Sequence, residues 1–120
     1  MSQNTDKKAA HSPRIENRKA WDEFHIAEKL EAGIVLRGTE VKSLRDKQAS
    51  LEGSYARIKE DECWLIGSNI AQYPKAAHGN HDPLRERKLL LHKHQIGKLI
   101  SKLRQKGITL VPLKIYFSER

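Results

Sequence analysis

Residues 81–107 read HDPLRERKLLLHKHQIGKLISKLRQKG and hold eight of the chain's 23 lysines and arginines. In the same stretch Ile96, Leu99, Ile100 and Leu103 recur at helical spacing, and Leu89 to Leu91 form an apolar run. A 3.6-residue apolar stripe marks a helix that packs on a core. Dense positive charge and core signals in one segment therefore describe a folded body with a polyanion-binding face, not a basic tail. Asp82-Pro83 reads as an N-cap followed by proline at the first helical position, which predicts a one- or two-turn helix carrying Arg85, Arg87 and Lys88. A longer helix over 93–106 should follow, closed by Gly107, with Lys102, Arg104 and Lys106 at the negative end of its dipole.

Outward from this stretch the pattern changes to period 2. Thr109 to Phe117 predicts a strand, in which Pro112 marks an edge position or a bulge. Ser54 to Lys59 and Cys63 to Ile66 predict two strands around the polar turn Glu60-Asp61-Glu62, with Gly67 breaking the second and Asn69 to Tyr73 continuing beyond it. Thr39 to Gln48 predicts a short helix capped by Thr39, with Glu40 at its positive end and Lys42 and Arg45 sharing a face. Phe24, Ile26 and Leu30 alternate with polar residues, so Phe24 to Gly38 reads as two strands joined at Glu31-Ala32-Gly33. Ile15 to Glu23 is short and mixed, with Trp21 the expected anchor. Residues 1–14 lack periodicity and cannot offset their ordering entropy, so they read as a disordered basic arm with Lys7, Lys8 and Arg14.

About six short strands and two or three helices imply a mainly β protein with helices. The expected architecture is a small antiparallel β-barrel of oligonucleotide-binding type with two or three packed α-helices, formed by residues 15–120 as a single domain. A length of 120 residues suits one domain with a real core.

The formal charge of +8 and pI of about 9.7 draw the protein toward polyanions. One cysteine, Cys63, excludes an internal disulfide framework and fits a reducing cytoplasm. No run of 18 apolar residues and no apolar leader are present in the sequence, so neither a membrane span nor a signal peptide is expected. A membrane-surface role is the weakest reading, because the apolar stripe of the long helix lacks an anchoring Trp or Phe.

Six histidines raise the question of a metal, but zinc sites want four ligands at recognisable spacing, usually with paired cysteines, so none is expected. Hydrolytic triads, phosphate-cradling glycine loops and HExxH are absent from the sequence, and no cofactor is implied. A nuclease built on His92 and His94 is conceivable; histidines among Lys and Arg are more often extra phosphate contacts or simple surface residues. Arg85, Arg87, Lys88, Lys93, Lys98 and Lys102 form the basic constellation. Four to six neutralised phosphates would give a log K against log[salt] slope of roughly −3 to −5. Aromatics are only 6% of residues, which favours recognition of a folded RNA by shape and backbone over generic single-strand stacking.

Several pieces resemble the SsrA-binding protein (small protein B) family of bacteria. They are Asn17-Arg18-Lys19-Ala20, Glu31-Ala32-Gly33-Ile34, Gly38 to Arg45 (GTEVKSLR), Ser54-Tyr55-Ala56, His81-Asp82-Pro83, Arg87 to His92 (RKLLLH) and Leu110 to Phe117 (LVPLKIYF). The resemblance spans about Asn17 to Phe117. It implies a barrel of oligonucleotide-binding type and binding to the tRNA-like domain of transfer-messenger RNA. It also implies a non-enzymatic role on stalled 70S ribosomes in trans-translation, as a monomer bound 1:1 to the RNA. By position, Glu31, Leu90 and His92 fall where the family has residues important for RNA binding; Lys42, Arg45, Lys88, Arg18 and Lys19 are the further candidates. The family often has a basic or His residue near the position of Trp21. Family members also continue with a Gly-Lys-Lys strand and a basic tail in the mRNA channel. The 120-residue chain is expected to lack these, and so to bind the RNA without supporting tagging. The alternative is a generic basic barrel RNA-binding or ribosomal protein.

Overall fold

The computed structural model describes residues 13–118. In chain order the elements are β1 (Arg14–Glu16), α1 (Arg18–Glu23), β2 (Gly33–Ile34), α2 (Gly38–Arg45), β3 (Ala49–Ser50), β4 (Tyr55–Lys59), β5 (Glu62–Ile66), β6 (Asn69–Ile70), β7 (Arg87–Leu90), α3 (Lys93–Leu103) and β8 (Lys114–Tyr116).

The β4–β5 hairpin is the local centre of the architecture. Its register runs from Tyr55 opposite Ile66 to Lys59 opposite Glu62. Alternation places Ala56, Cys63 and Leu65 inward. The turn residues Glu60 and Asp61 both take positive φ, 53° and 62°, the geometry whose twist matches that of paired strands. Strand β7 lies against β5 and β2, giving a four-stranded antiparallel sheet in the order β2-β7-β5-β4. Two further pairs, β1–β8 and β3–β6, flank it, and Ala56 of β4 bridges Leu110. The architecture is mainly β with three helices, and the described ladders make three separate sheets.

Ile15, Leu44, Leu51, Leu65 and Ile70 form the core, with Ile34, Leu36, Leu89, Ile115 and Phe117 packed around them. The core thus draws from every sheet and from α2. Asn17 fastens the start of the described chain. Its Nδ2 donates to Pro112 O (2.9 Å) and Leu51 O (3.3 Å), its Oδ1 accepts from the Ala20 N–H at the head of α1, and its own N–H donates to Leu113 O (2.8 Å). One side chain satisfies three backbone groups that lie far apart in sequence.

The structure corrects several expectations. Residues 24–32 form no strand, and Phe24 and Leu30 are exposed. Their alternation is real, but a strand needs a partner for its N–H and C=O groups, and β2 pairs only from Gly33. No helix carries Arg85, Arg87 and Lys88: after one turn, in which Asp82 Oδ1 accepts from the Leu84 N–H, the chain extends into β7. Thr39 lies inside α2, whose N-cap is Arg37; Glu40 Oε1 accepts from the Arg37 N–H (2.7 Å), while the Thr39 hydroxyl meets His81 Nδ1 (2.8 Å). Trp21 is half exposed, with the Lys29 ammonium over its ring, so Ile15 and Asn17 do the anchoring. The end of the expected basic arm, Arg14, is in β1 opposite Tyr116; Lys7 and Lys8 lie outside the described residues.

Candidate nucleic-acid interface

Strand β7 sorts the leucine run by alternation. Arg87 and Leu89 face inward, Lys88 is half-buried, and Leu90 is 52% exposed. Leu90 sits opposite Gly33 of β2, so Glu31 lies just ahead of the strand that pairs with it. The chain then turns at His92, which is extended (φ −69°, ψ 152°) and caps α3. Gln95 reaches back, its Oε1 accepting from the His92 N–H (2.8 Å). The result is a cleft of about 330 Å³ lined by Glu31, Leu90, Leu91, His92 and Gln95. His92 stacks on His94 with ring centroids 5.7 Å apart and planes 10° apart.

Three sequence-predicted residues, Glu31, Leu90 and His92, therefore meet in one place although Glu31 lies about sixty positions before the other two. Leu91 and Gln95 complete that place and are not among the sequence-predicted residues. For Gln95 the sequence does carry a signal: a Gln three residues after a cap position is the second half of a capping box. A larger hollow of about 690 Å³ lies between segments 28–34 and 110–116, with Leu65, Leu89 and Leu99 on its walls. It is mostly apolar, whereas the smaller cleft gathers a carboxylate, an imidazole and an amide on an exposed rim.

The candidate cations are distributed around the molecule. Lys42 and Arg45 are exposed on α2, with Lys42 over the ring of Tyr73 and Arg45 over that of Phe117, 4.5 Å from its centroid. Lys88 is half-buried and paired with Glu62 (2.5 Å). Lys19 pairs with Glu52 at 3.6 Å and Arg18 is exposed, both on α1. On α3 Lys98 is exposed and Lys102 pairs with Glu28; Lys93 is exposed at its first turn.

Arg85 and Arg87 leave the basic constellation. Arg87 is fully buried, its Nε donating to Glu40 Oε2 (2.8 Å), its Nη1 to Ser68 O and Oγ, and its Nη2 to Pro83 O (3.1 Å). Arg85 donates to both Glu40 oxygens, at 2.5 and 3.1 Å. Burial alone would push the Glu40 carboxyl up. Hydrogen bonds from Arg85, the Arg37 backbone and Arg87 outweigh it and hold it down at about 2. This network ties α2, which presents Lys42 and Arg45, to β7, which presents Lys88 and Leu90.

His81 is buried as well, its Nε2 meeting Ile70 O at 2.8 Å, so it is a structural joint. Among the described residues no group of three or more His, Cys, Asp or Glu is placed to hold a metal ion. Burial raises the Cys63 thiol, which makes it a poor nucleophile. No helix among the described residues is long and apolar enough to cross a membrane.

The profile of the family described as SmpB protein matches residues 14–120. The chain is similar to the SsrA-binding protein of Thermus thermophilus, 53% identical over 109 residues that cover 91% of this chain and 76% of the relative. It is also similar to the SsrA-binding protein of Carboxydothermus hydrogenoformans, 54% identical over 102 residues, covering 85% and 68%. Among solved structures it resembles a chain from "tmRNA-SmpB: a journey to the center of the bacterial ribosome", with a TM-score of 0.74 and 53% identity over 89% of this chain and 75% of that one. With the family profile matched over residues 14–120 and relatives more than half identical over most of the chain, this chain belongs to the SmpB protein family.

Proposed function

We propose that the chain binds the tRNA-like domain of transfer-messenger RNA and brings it to stalled ribosomes in trans-translation, as an RNA-binding protein rather than an enzyme. One observation carries the reading: in a member of this family, Glu31, Leu90 and His92 line a single exposed cleft. Lys42, Arg45 and Lys88, with Arg18 and Lys19, supply phosphate contacts that position the RNA without reading its sequence. The finer architecture is a small barrel of oligonucleotide-binding type, in which the three sheets enclose one core and the β2–β7 region forms the binding wall. Residues 15–120 act as one RNA-binding domain, one copy per RNA, in the cytoplasm.

Binding of the tRNA-like domain by the wild type and by Glu31→Ala, Leu90→Ala and His92→Ala, against an unrelated structured RNA of equal length, tests this. The expected result is a preference for the tRNA-like domain that the three substitutions reduce. Equal affinity for both RNAs, unchanged by the substitutions, would instead indicate a generic basic RNA-binding protein.

A further inference from the structure

Uncompensated positive charge gathers away from the Leu90 cleft, on the second half of α2 and the loop that follows β6. Residues 41–48 and 73–80 hold four Lys or Arg, namely Lys42, Arg45, Lys47 and Lys75, against one acid, Asp46. All four cations are exposed, and none is ion-paired among the described residues. Lys19, Lys59, Lys88 and Lys102, by contrast, each pair with a Glu. A phosphate must displace a carboxylate to reach those, whereas it meets the first set directly.

Two of the four are also held in place. The Lys42 ammonium lies 5.4 Å from the centroid of Tyr73, and the Arg45 guanidinium 4.5 Å from that of Phe117. A ring restrains a cation without neutralising it, which lowers the ordering cost of a later contact. The loop is fixed over the helix as well. Asn80 clasps its neck, with Oδ1 accepting from the Tyr73 N–H (3.1 Å) and Nδ2 donating to Tyr73 O (2.8 Å). On one side of that neck the Ala71 N–H donates to Gln48 O (2.9 Å), just beyond α2; on the other, His81 meets Thr39 of α2 at 2.8 Å. Helix and loop therefore present Lys42, Arg45 and Lys75 as one rigid face.

The chemistry of this face selects a backbone, not a base. Tyr73 and Phe117 are half-buried and each already faces a cation, so neither ring is free to stack on a base. Lys and Arg are donors only. Lys42 and Arg45, three apart on a helix, stand about 5–6 Å from each other at Cβ. Restrained donors over a firm surface match the regular phosphates of a duplex, the feature by which double-stranded RNA is recognised. The face shares no residue with the cleft lined by Glu31, Leu90, Leu91, His92 and Gln95. Glu40 of α2, bound to Arg85 and to Arg87 of β7, keeps the two at a fixed separation.

We propose that α2 and the 73–80 loop form a second RNA surface, separate from the Leu90 cleft, which takes the phosphate backbone of a duplex stem in the same RNA. This rests on the RNA-binding reading above and adds a second point of attachment to it. Because the two surfaces are rigidly joined, together they select an RNA whose stem and cleft-bound segment are correctly spaced, which is recognition by shape.

Hydroxyl-radical footprinting of the tRNA-like domain tests this, with the full 120-residue chain as wild type, as the double variant Lys42→Gln/Lys75→Gln and as Leu90→Ala. Wild type should protect two separate stretches, one of them in a paired stem. The double variant should lose protection of the stem and keep the other stretch, and its salt slope should fall in magnitude by about two. Leu90→Ala should do the reverse. Both substituted lysines are exposed, so an unchanged melting temperature will show that the double variant is folded. If the double variant protects the RNA as wild type does, with the same salt slope, the face is not a surface for this RNA. If its footprint is unchanged while its binding to 70S ribosomes weakens, the face takes ribosomal RNA and the proposal is overturned in favour of that partner. If wild type protects nothing, the RNA-binding reading itself fails, and the second surface with it.

Discussion

Glu40 and Arg87 form an ion pair with no solvent exposure on either side chain, Oε2 to Nε at 2.8 Å. A pair this deep is costly to desolvate and is sustained because every polar atom of its two side chains is matched. Arg85, the Arg37 N–H, Ser68 and the Pro83 carbonyl do the matching. Glu40→Ala leaves the buried Arg87 without its partner and should cost about 3–5 kcal/mol in urea unfolding; Arg87→Ala should cost less, because Arg85 still pairs with Glu40. Replacing both by apolar residues of similar volume should recover much of that loss.

The same pair sets the acid limit of the fold. Its carboxyl titrates at about 2 when folded, below the usual 4.5. A depressed carboxyl contributes its full stability above the ordinary carboxylate range and loses it as pH falls toward the folded value. Unfolding free energy should therefore be flat on the Glu40 account above about pH 5 and decline from there toward pH 2. Glu40→Gln, measured by the same denaturation series, should flatten that decline.

Leu90 separates binding from stability. Its side chain is half exposed, whereas that of Leu65 is buried. Leu90→Ala should change unfolding free energy by less than about 1 kcal/mol yet weaken RNA binding. Leu65→Ala should cost about 2–5 kcal/mol, and RNA affinity should be unaffected at temperatures where the variant remains folded.

Gly33 sets the position of Leu90. A Cβ at Gly33 would lie 3.3 Å from Leu90 Cβ and 3.4 Å from its Cδ1, closer than most such contacts. Leu90 is exposed and can give way, so Gly33→Ala should displace it from the cleft. The expected outcome is a several-fold loss of RNA affinity with little change in melting temperature.

Lys88 is held by Glu62 at 2.5 Å. An exposed pair of this kind is worth at most about 1 kcal/mol and yields to a phosphate. Glu62→Gln should tighten RNA binding a few-fold, most at low salt. Lys42→Ala and Arg45→Ala should each lower the magnitude of the salt slope by about one.

By itself the sequence determined what depends on neighbours in the chain. The β4–β5 hairpin followed from alternation around a polar turn, and α3 from the Ile96–Leu103 stripe, because periodicity and turn chemistry are local. Family resemblance, also legible in the sequence, pointed to Glu31, Leu90 and His92 together. What the sequence left open was every question of partnership. Phe24 to Leu30 alternates like a strand but pairs with no strand among the described residues. Arg87 looks like a surface cation beside Lys88, yet Glu40, 47 positions earlier, takes it into the core. A hydrogen bond or buried charge is satisfied by groups distant in sequence, and only the tertiary structure brings them within 3 Å. That is why the charge count pointed to a polyanion, while the packing of β2 on β7 decided that an unpaired carboxylate stands in the cleft beside Leu90 and His92.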